Sequence, residues 1–289
     1  MRIAVFGNTY QDRHFDVLAG LFERLSRYNV WIEMERSFYN YLSRTLPAPP
    51  KINDLIVNDD FSAAIALSIG GDGTFLRTAQ RVGGKEIPIL GINTGHLGYL
   101  ADVGVEEMDA GLTSLFEGHY QVEDRTMIEV TSPDAVIDSW PYALNEVAIL
   151  KQDTASMIDM KSTVDGYSLA DYRADGLIIS TPTGSTGYNL SVGGPIVAPQ
   201  APVWVISPVA AHSLTMRPLV VGDGSVISVT TTSRTSTYRV SLDGRSVSLP
   251  VGTTIVMRRA PFRTRVIQRL DHRFTETLRT KLLWGIDRR

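Results

Sequence analysis

The sequence predicts an α/β first part, an all-β sandwich-like second part, and a C-terminal helix. Three observations carry that expectation. Up to about residue 120, short apolar runs alternate with amphipathic helical stretches, the pattern of a parallel sheet with flanking helices. From residue 120 to 265, Val, Ile, Thr and Ser dominate in short runs bounded by Gly, Pro and Asp, as in a sandwich. After that the helical period returns, with Phe274, Leu278, Leu282 and Leu283 on one stripe. The expected divisions are 1–120, 121–265 and 266–289, the last packing back on the first part or on a partner subunit.

In chain order, residues 3–6 form a buried-strand candidate ending at Gly7-Asn8. Residues 16–28 turn helical, with Leu18, Leu21, Phe22 and Leu25 on one face. Residues 30–34 read as a second strand, and a helix over 38–46 is stopped by Pro47, Pro49 and Pro50. Residues 63–69 are apolar almost throughout, as expected of a strand covered on both faces. Gly70, Gly71 and Gly73 break that strand, and a helix follows over 75–82. Such a turn presents bare N–H groups and a helix N-terminus to an anion, usually phosphate. Asp72 is the unusual member. A carboxylate among phosphate-facing amides repels that ligand and needs another task, and accepting a proton from an attacking hydroxyl is one. The competing reading is a plain strand-to-helix turn with a solvent-facing Asp. Residues 87–92 form another strand, followed by the loop Asn93–Gly98 and a helix over 108–116. Ligands of parallel sheets sit beyond the carboxyl ends of the strands. Gly7, the glycine turn and the 93–98 loop all belong to that edge.

Two common glycine motifs fail here. A Walker A loop needs Lys after its last Gly, where Thr74 stands. The dinucleotide fingerprint needs a third Gly, where Leu76 stands, and an acidic residue about 20 positions on, where residues 90–96 hold none.

In the second part, strands are expected over 127–131, 143–150, 157–164, 177–180, 203–206, 225–231, 238–242 and 254–258. The most loaded segment is 173–195. It runs from Arg173 and Asp175 through a short strand into a long stretch of Ser, Thr and Gly around Tyr188. An aromatic ring among small polar residues suits stacking under a nucleobase, Arg173 offers a planar cation for phosphate, and Asp175 is an acceptor for ribose or adenine. A purely structural loop is the alternative, although loops of this length are uncommon without a function. A serine-hydrolase elbow is excluded because Thr183 stands two places before Ser185, where Gly is required. Asn145-Glu146 interrupts its strand; the pair suits the two hydroxyls of a ribose and equally an exposed turn. Asp243-Gly244 reads as a hairpin turn, with Arg245 beside it as a further anion candidate.

Composition narrows the classes. Hydrophobic content of 43% and charged content of 20% are those of an ordinary globular protein. A net charge of −3 leaves no electrostatic footprint for nucleic acid or an anionic membrane. No cysteine is present, so thiol nucleophiles and zinc–thiolate sites are excluded. The five histidines show no metal-ligand spacing. No run approaches the ~18 apolar residues of a membrane span, and the N-terminus lacks a signal peptide's apolar core. The expected location is cytoplasmic.

Taken together, these residues resemble the NAD kinase family. Gly70-Gly71-Asp72-Gly73-Thr74 is similar to its first signature, the run Gly91 to Leu100 to its second and Asn145-Glu146 to its third. The run Asp175 to Tyr188 is similar to its longest and most specific one, and 212–219 and 278–284 to later segments. The matches come in order from Gly70 to Trp284; before Gly70 only the strand–helix pattern agrees. The resemblance implies a two-domain enzyme that binds substrate between its domains. It would move the γ-phosphoryl of ATP, or phosphate from polyphosphate, to the 2′-hydroxyl of the adenosine ribose of NAD. Asp72 would be the general base, and Gly73 with its neighbours would cradle phosphates. Asn145 and Glu146 would hold ribose, and Asp175 the nicotinamide or adenine end. Thr186, Gly187, Tyr188, Asn189, Leu190 and Ser191 would line the adenine pocket, with Tyr188 stacking. Arg77 and Arg173 would supply phosphate charge; Arg245 is weaker, because the family often has a neutral polar residue there. The resemblance further implies a homo-oligomer, dimer or tetramer, and a divalent ion, usually Mg²⁺, for which no protein ligand is assigned. Ala174 stands where the family commonly has Gly, Gly187 where it has Ala, and Tyr99 where it has Phe; none of these removes a catalytic group. The rivals are a kinase for a lipid or sugar hydroxyl and a dinucleotide sensor without turnover.

Overall fold

The computed structural model describes residues 1–9, 15–94, 98–101, 103–152 and 156–285. The first stretch contains β1 (Arg2–Gly7), α1 (Phe15–Leu25), β2 (Trp31–Glu35), α2 (Arg36–Thr45), β3 (Asp54–Ile56), β4 (Ile65–Ile69), α3 (Asp72–Val82), β5 (Ile89–Ile92), α4 (Met108–Glu117) and β6 (Tyr120–Arg125). The second contains β7 (Ile128–Thr131), β8 (Tyr142–Ala143), β9 (Glu146–Lys151), β10 (Ile158–Val164), β11 (Tyr167–Ala174), β12 (Gly176–Ser180), α5 (Tyr188–Ser191), β13 (Val203–Val209) and β14 (Leu219–Gly222). It continues with β15 (Ile227–Thr232), β16 (Thr237–Leu242), β17 (Arg245–Pro250) and β18 (Thr254–Arg259). The chain closes with β19 (Thr264–Arg269) and α6 (Phe274–Lys281).

Two compact units result: Met1–Asp124 with Thr264–Arg289, and Arg125–Arg263. The first is built on a sheet of order β3-β2-β1-β4-β5-β19-β6. Its strands from β3 to β5 run parallel. β1 and β4 are buried along nearly their whole length, as their unbroken apolar runs require. Ile3, Val5, Leu67 and Ile69 pack with Leu18, Leu21 and Leu25 of α1 and Phe38 and Leu42 of α2. From β1 the chain winds outward to β2 and β3, then crosses to β4 and β5 on the other side. The strand order therefore reverses between β1 and β4, the place where such sheets take ligands. Gly7, opposite Ile69 in register, ends β1 at that point. A Cβ at Gly7 would enter the ring of Phe38, so only glycine lets α2 close over the strand end.

The segment after β5 doubles back. Asn93 N–H donates to Val103 O at 2.8 Å, and Val103 N–H to Gly91 O at 3.1 Å. Gly91 makes this approach feasible, since a Cβ there would lie 2.7 Å from Ala101 Cα.

The second unit has two six-stranded antiparallel sheets, β11-β10-β15-β18-β7-β8 and β14-β13-β12-β9-β16-β17. One apolar core takes Val130, Met160, Val229 and Met257 from the first sheet and Ile149, Leu177, Trp204 and Val240 from the second. This is the sandwich that the alternating Val, Ile and Thr runs require.

The structure departs from the sequence reading at the edges of the units. β6 and β19, whose composition matches the second part, belong to the first sheet. β3, β11, β14 and β17 are additional strands; β11 and β14 are largely exposed strands at sheet edges, where β14 leaves its apolar Leu219 and Val220 uncovered. In α6 the buried residue is Thr277, and the expected stripe of Phe274, Leu278 and Leu282 is only half-buried. The helix is tied within its own unit by Lys281 Nζ, which donates to Ala101 O at 2.9 Å. Among the described residues, no helix is long and apolar enough to cross a membrane.

Candidate active site

In the first unit the glycine turn is built as its sequence demands. Gly70 has φ +147°, and a Cβ there would crowd Thr74 Oγ1 at 2.5 Å. Gly71 caps α3, and Asp72 is the first residue of the helix. Over Gly71 and Gly73 the space is open, with no atom within 4 Å of a Cβ placed on either. The Asp72 carboxylate is tied to the segment after β5. Tyr99 N–H donates to its Oδ2 at 2.8 Å and Leu100 N–H to its Oδ1 at 2.9 Å. Gly98 is required beside it, because a Cβ there would collide with Asp72 Oδ1. The plain-turn alternative, with Asp72 in water, does not describe this geometry.

One helical turn on, Arg77 is exposed and reaches Thr74 Oγ1 at 3.5 Å. A cavity of about 280 Å³ opens there, lined by Gly7, Thr9, Ser37, Thr74, Arg77 and Arg81 among others. It lies at the reversal of strand order. Arg81 is already engaged by Asp59 at 2.8 Å and by Asn58 O at 2.9 Å, which leaves Arg77 as the more available cation.

In the second unit, Asn145 and Glu146 stand where β9 begins. Thr181 Oγ1 donates to Leu144 O at 2.6 Å, and Thr181 N–H to Asn145 O at 2.9 Å. From the other side, Asp243 accepts the N–H groups of Leu144, Asn145 and Glu146 at 2.7, 2.8 and 3.1 Å. The main chain is thus fixed while the side chains stay available: Asn145 Oδ1 and Glu146 Oε2 are buried without a hydrogen-bond partner. Gly187 faces both, with a Cβ site 3.3 Å from Glu146 Oε2 and 3.9 Å from Asn145 Nδ2. Burial, with the charge of Asp243 adding to it, pushes the Glu146 carboxyl up to about 7, against a donated Tyr188 N–H. Asp243 is itself raised by burial, with its three N–H donors and Arg245 pulling the other way.

The long hydroxyl-rich segment is ordered by its own polar groups. Residues Thr183–Thr186 form a 3-10 turn and Tyr188–Ser191 one turn of helix. Tyr188 is 38% exposed, and its main-chain N–H is donated to Glu146. Thr186 and Leu190 are half-buried, and Gly187 and Ser191 exposed. Asn189 differs from the expectation. It is fully enclosed, its Nδ2 donating to Ser185 O and Pro195 O at 3.1 and 3.0 Å while its Oδ1 accepts from Ser207 Oγ at 2.6 Å. Every polar atom of that side chain has a protein partner, so the side chain braces the loop.

Three charged candidates lie elsewhere. Asp175 sits at the opposite end of β12 from Ser180, the partner of Glu146, and takes Lys151 Nζ at 2.6 Å. Arg173 is exposed and 3.8 Å from Asp159. Arg245 donates to Asp138 Oδ2, Trp140 O and Tyr142 O at 2.7, 2.9 and 2.6 Å, holding residues 138–142 against β17. Those bonds occupy the guanidinium, which counts against an anion role. Asp243 was missed as a site residue: its hairpin signature was legible, but the target of its carboxylate is nearly a hundred residues away.

Comparison with known proteins agrees over the length of the chain. Residues 22–120 match the family model of the ATP-NAD kinase N-terminal domain, and residues 144–269 that of the ATP-NAD kinase C-terminal domain. NAD kinase of Bacteroides fragilis is 46% identical over 289 residues, covering 100% of both chains. NAD kinase of Porphyromonas gingivalis is 42% identical over 284 residues, covering 98% of both. The chain belongs to the NAD kinase family. A solved NAD kinase from Archaeoglobus fulgidus in complex with ATP superposes with a TM-score of 0.76 at 28% identity, covering 96% of this chain and 99% of that one. Yeast NADH kinase complexed with NADH has the same fold, with a TM-score of 0.89 at 22% identity, covering 100% and 89%. Of the NAD kinase signatures, Gly95, His96 and Leu97 lie outside the described residues. The first and second signatures meet at the Asp72 carboxylate, and the third meets the fourth at Gly187 and Tyr188.

Two outcomes follow from this geometry. Gly98→Ala must displace the Asp72 carboxylate; turnover falls by ~10² or more while the far-UV circular dichroism spectrum is unchanged. Glu146 has a folded-state pKa above its unfolded value, so stability falls as pH rises from about 4.5 to about 7. Glu146→Gln escapes that loss. Its melting temperature exceeds the parent's at pH 8, and the gap closes below about pH 4.5 in calorimetric scans.

Proposed function

We propose that this chain transfers the γ-phosphoryl group of ATP to the 2′-hydroxyl of the adenosine ribose of NAD, giving NADP. The observation that carries the reading is the Asp72 carboxylate, anchored by two main-chain N–H groups at the mouth of an open glycine turn. Each of its oxygens uses one acceptor position on an amide and keeps another for a hydroxyl. Asp72 accepts the proton of the 2′-hydroxyl as the ribose oxygen bonds to the γ-phosphorus. The bond from that phosphorus to the β–γ bridging oxygen breaks, and ADP leaves with the electron pair. The open amides at Gly71 and Gly73, the N-terminus of α3 and Arg77 supply positive potential for the phosphates. Catalysis of this kind consists mainly of positioning and charge stabilisation.

Asn145 and Glu146 hold ribose hydroxyls through their unpartnered oxygens, and Tyr188 supplies the stacking face. Asp175 and Arg173, at the far end of β12, suit another part of an extended dinucleotide. A magnesium ion would be carried mostly by the donor's own phosphate oxygens, as such ions are with nucleotides, and would neutralise phosphate charge. A homo-oligomer, dimer or tetramer, in the cytoplasm completes the reading.

The direct test is incubation with ATP, Mg²⁺ and NAD, followed by enzymatic detection of NADP. Absence of NADP over hours, with NAD binding retained, would replace the kinase by a dinucleotide sensor. Asp72→Asn lowers kcat by ~10²–10⁴, while calorimetry finds NAD affinity changed only a few-fold. Arg77→Ala raises KM for ATP roughly tenfold or more and leaves KM for NAD nearly unchanged.

A further inference from the structure

Asp243 and Gly244 form the two-residue connection between β16 and β17, both at positive φ, +48° and +83°. In that backbone state the Asp243 side chain is thrown back over the neighbouring strand pair. β16 lies beside β9, with Leu242 opposite Val147, so the carboxylate lands on the residues immediately before and at the start of β9. There it meets three consecutive N–H groups, of Leu144, Asn145 and Glu146. Successive amides converging on one anion make a strong, directional clamp. The Asp243 N–H donates to Glu146 O at 3.2 Å, closing the contact from the opposite direction.

A carboxylate so placed also puts a second negative charge beside Glu146. The groups around Glu146 can be named. The β16–β17 turn brings Asp243 and Arg245, the latter drawn to Asp138. β12 brings the uncharged Ser180, its register partner. α5 brings Tyr188, whose main-chain N–H is donated to Glu146. No cation among them is turned to Glu146. Resting on the ribose role of Asn145 and Glu146 given above, we propose that Asp243 is a positioning residue of the nucleotide site, fixing this pair through its main chain and making NAD capture by Glu146 depend on pH. Ionised Glu146 accepts hydrogen bonds from two ribose hydroxyls. Protonated, it loses part of that capacity and one charge-assisted bond. The raised Glu146 titration, near 7, places the change in the neutral range.

Asp243→Asn is the informative variant, because Asn tolerates the left-handed conformation of the turn and keeps its size. It removes the charge and one acceptor. In the full-length enzyme, NAD affinity is measured from pH 5.5 to 9 for the parent, Asp243→Asn and Glu146→Gln. The parent binds more tightly as pH rises through about 7. In Asp243→Asn the midpoint moves to lower pH, and affinity on the alkaline plateau falls roughly tenfold. In Glu146→Gln the pH step disappears. An unmoved midpoint in Asp243→Asn, or a step surviving in Glu146→Gln, overturns the proposal. The Glu146 carboxyl is also titrated by ¹³C NMR with no nucleotide present. A midpoint near 7 that drops in Asp243→Asn supports the charge coupling even if the chain acts on another hydroxyl; a midpoint near 4.5 overturns it. Should Asp243→Asn fail to fold, Asp243→Ser, which keeps one acceptor without the charge, takes its place with the same outcomes, and a parent with no step near pH 7 overturns the proposal by itself.

Discussion

The grip of two main-chain N–H groups on the Asp72 carboxylate is the contact on which the first unit's site depends. Asp72 begins α3, and Tyr99 and Leu100 follow β5, so one side chain spans the ends of two neighbouring strands. Three glycines make room for it. Gly70 admits the turn, Gly91 admits the returning segment, and Gly98 leaves the carboxylate its place. A carboxylate tied to main chain in this way is held in one orientation, which is what preorganisation requires. Over Gly71 and Gly73 the space stays open.

The second unit uses the same device with a different occupant. Asp243 is caught by three amides instead of two, and its effect is to hold other side chains at work. Asn145 and Glu146 keep unpartnered oxygens in a buried setting, at a cost in stability. Thr181 ties the loop to Leu144 and Asn189 ties it to Ser207 of β13, while Ser185 and Asn189 also bond within the loop, so a hydrogen-bonded frame supports this pair.

Much of this was legible in the sequence. The apolar runs of β1, β4 and β5 announce a sheet covered on both faces, and Asp72 stands out because a carboxylate is the wrong charge for its surroundings. The alternating Val, Ile and Thr of β15 and β18 announce a sandwich. What stayed hidden has physical reasons. β11 and β14 lie at sheet edges, where burial does not impose a pattern. β6 and β19 carry ordinary strand residues, and composition alone does not say which sheet a strand joins. Asn189 looks like any polar loop residue until Ser185, Pro195 and Ser207 close on it. Asp243 reads as turn chemistry because its partners are remote in the chain.

The first sheet is finished by the end of the chain. β19 lies between β5 and β6, so the strand nearest the C-terminus fills the interior of a sheet whose other members are made first. The second unit is in effect an insertion carried between β6 and β19. On the ribosome, the sandwich emerges whole before the first sheet has its last strand. Until then β5 and β6 each present an unpaired backbone edge, the surface most prone to illegitimate pairing between nascent copies. A chain cut before residue 264 lacks β19 and leaves both of those edges unpaired.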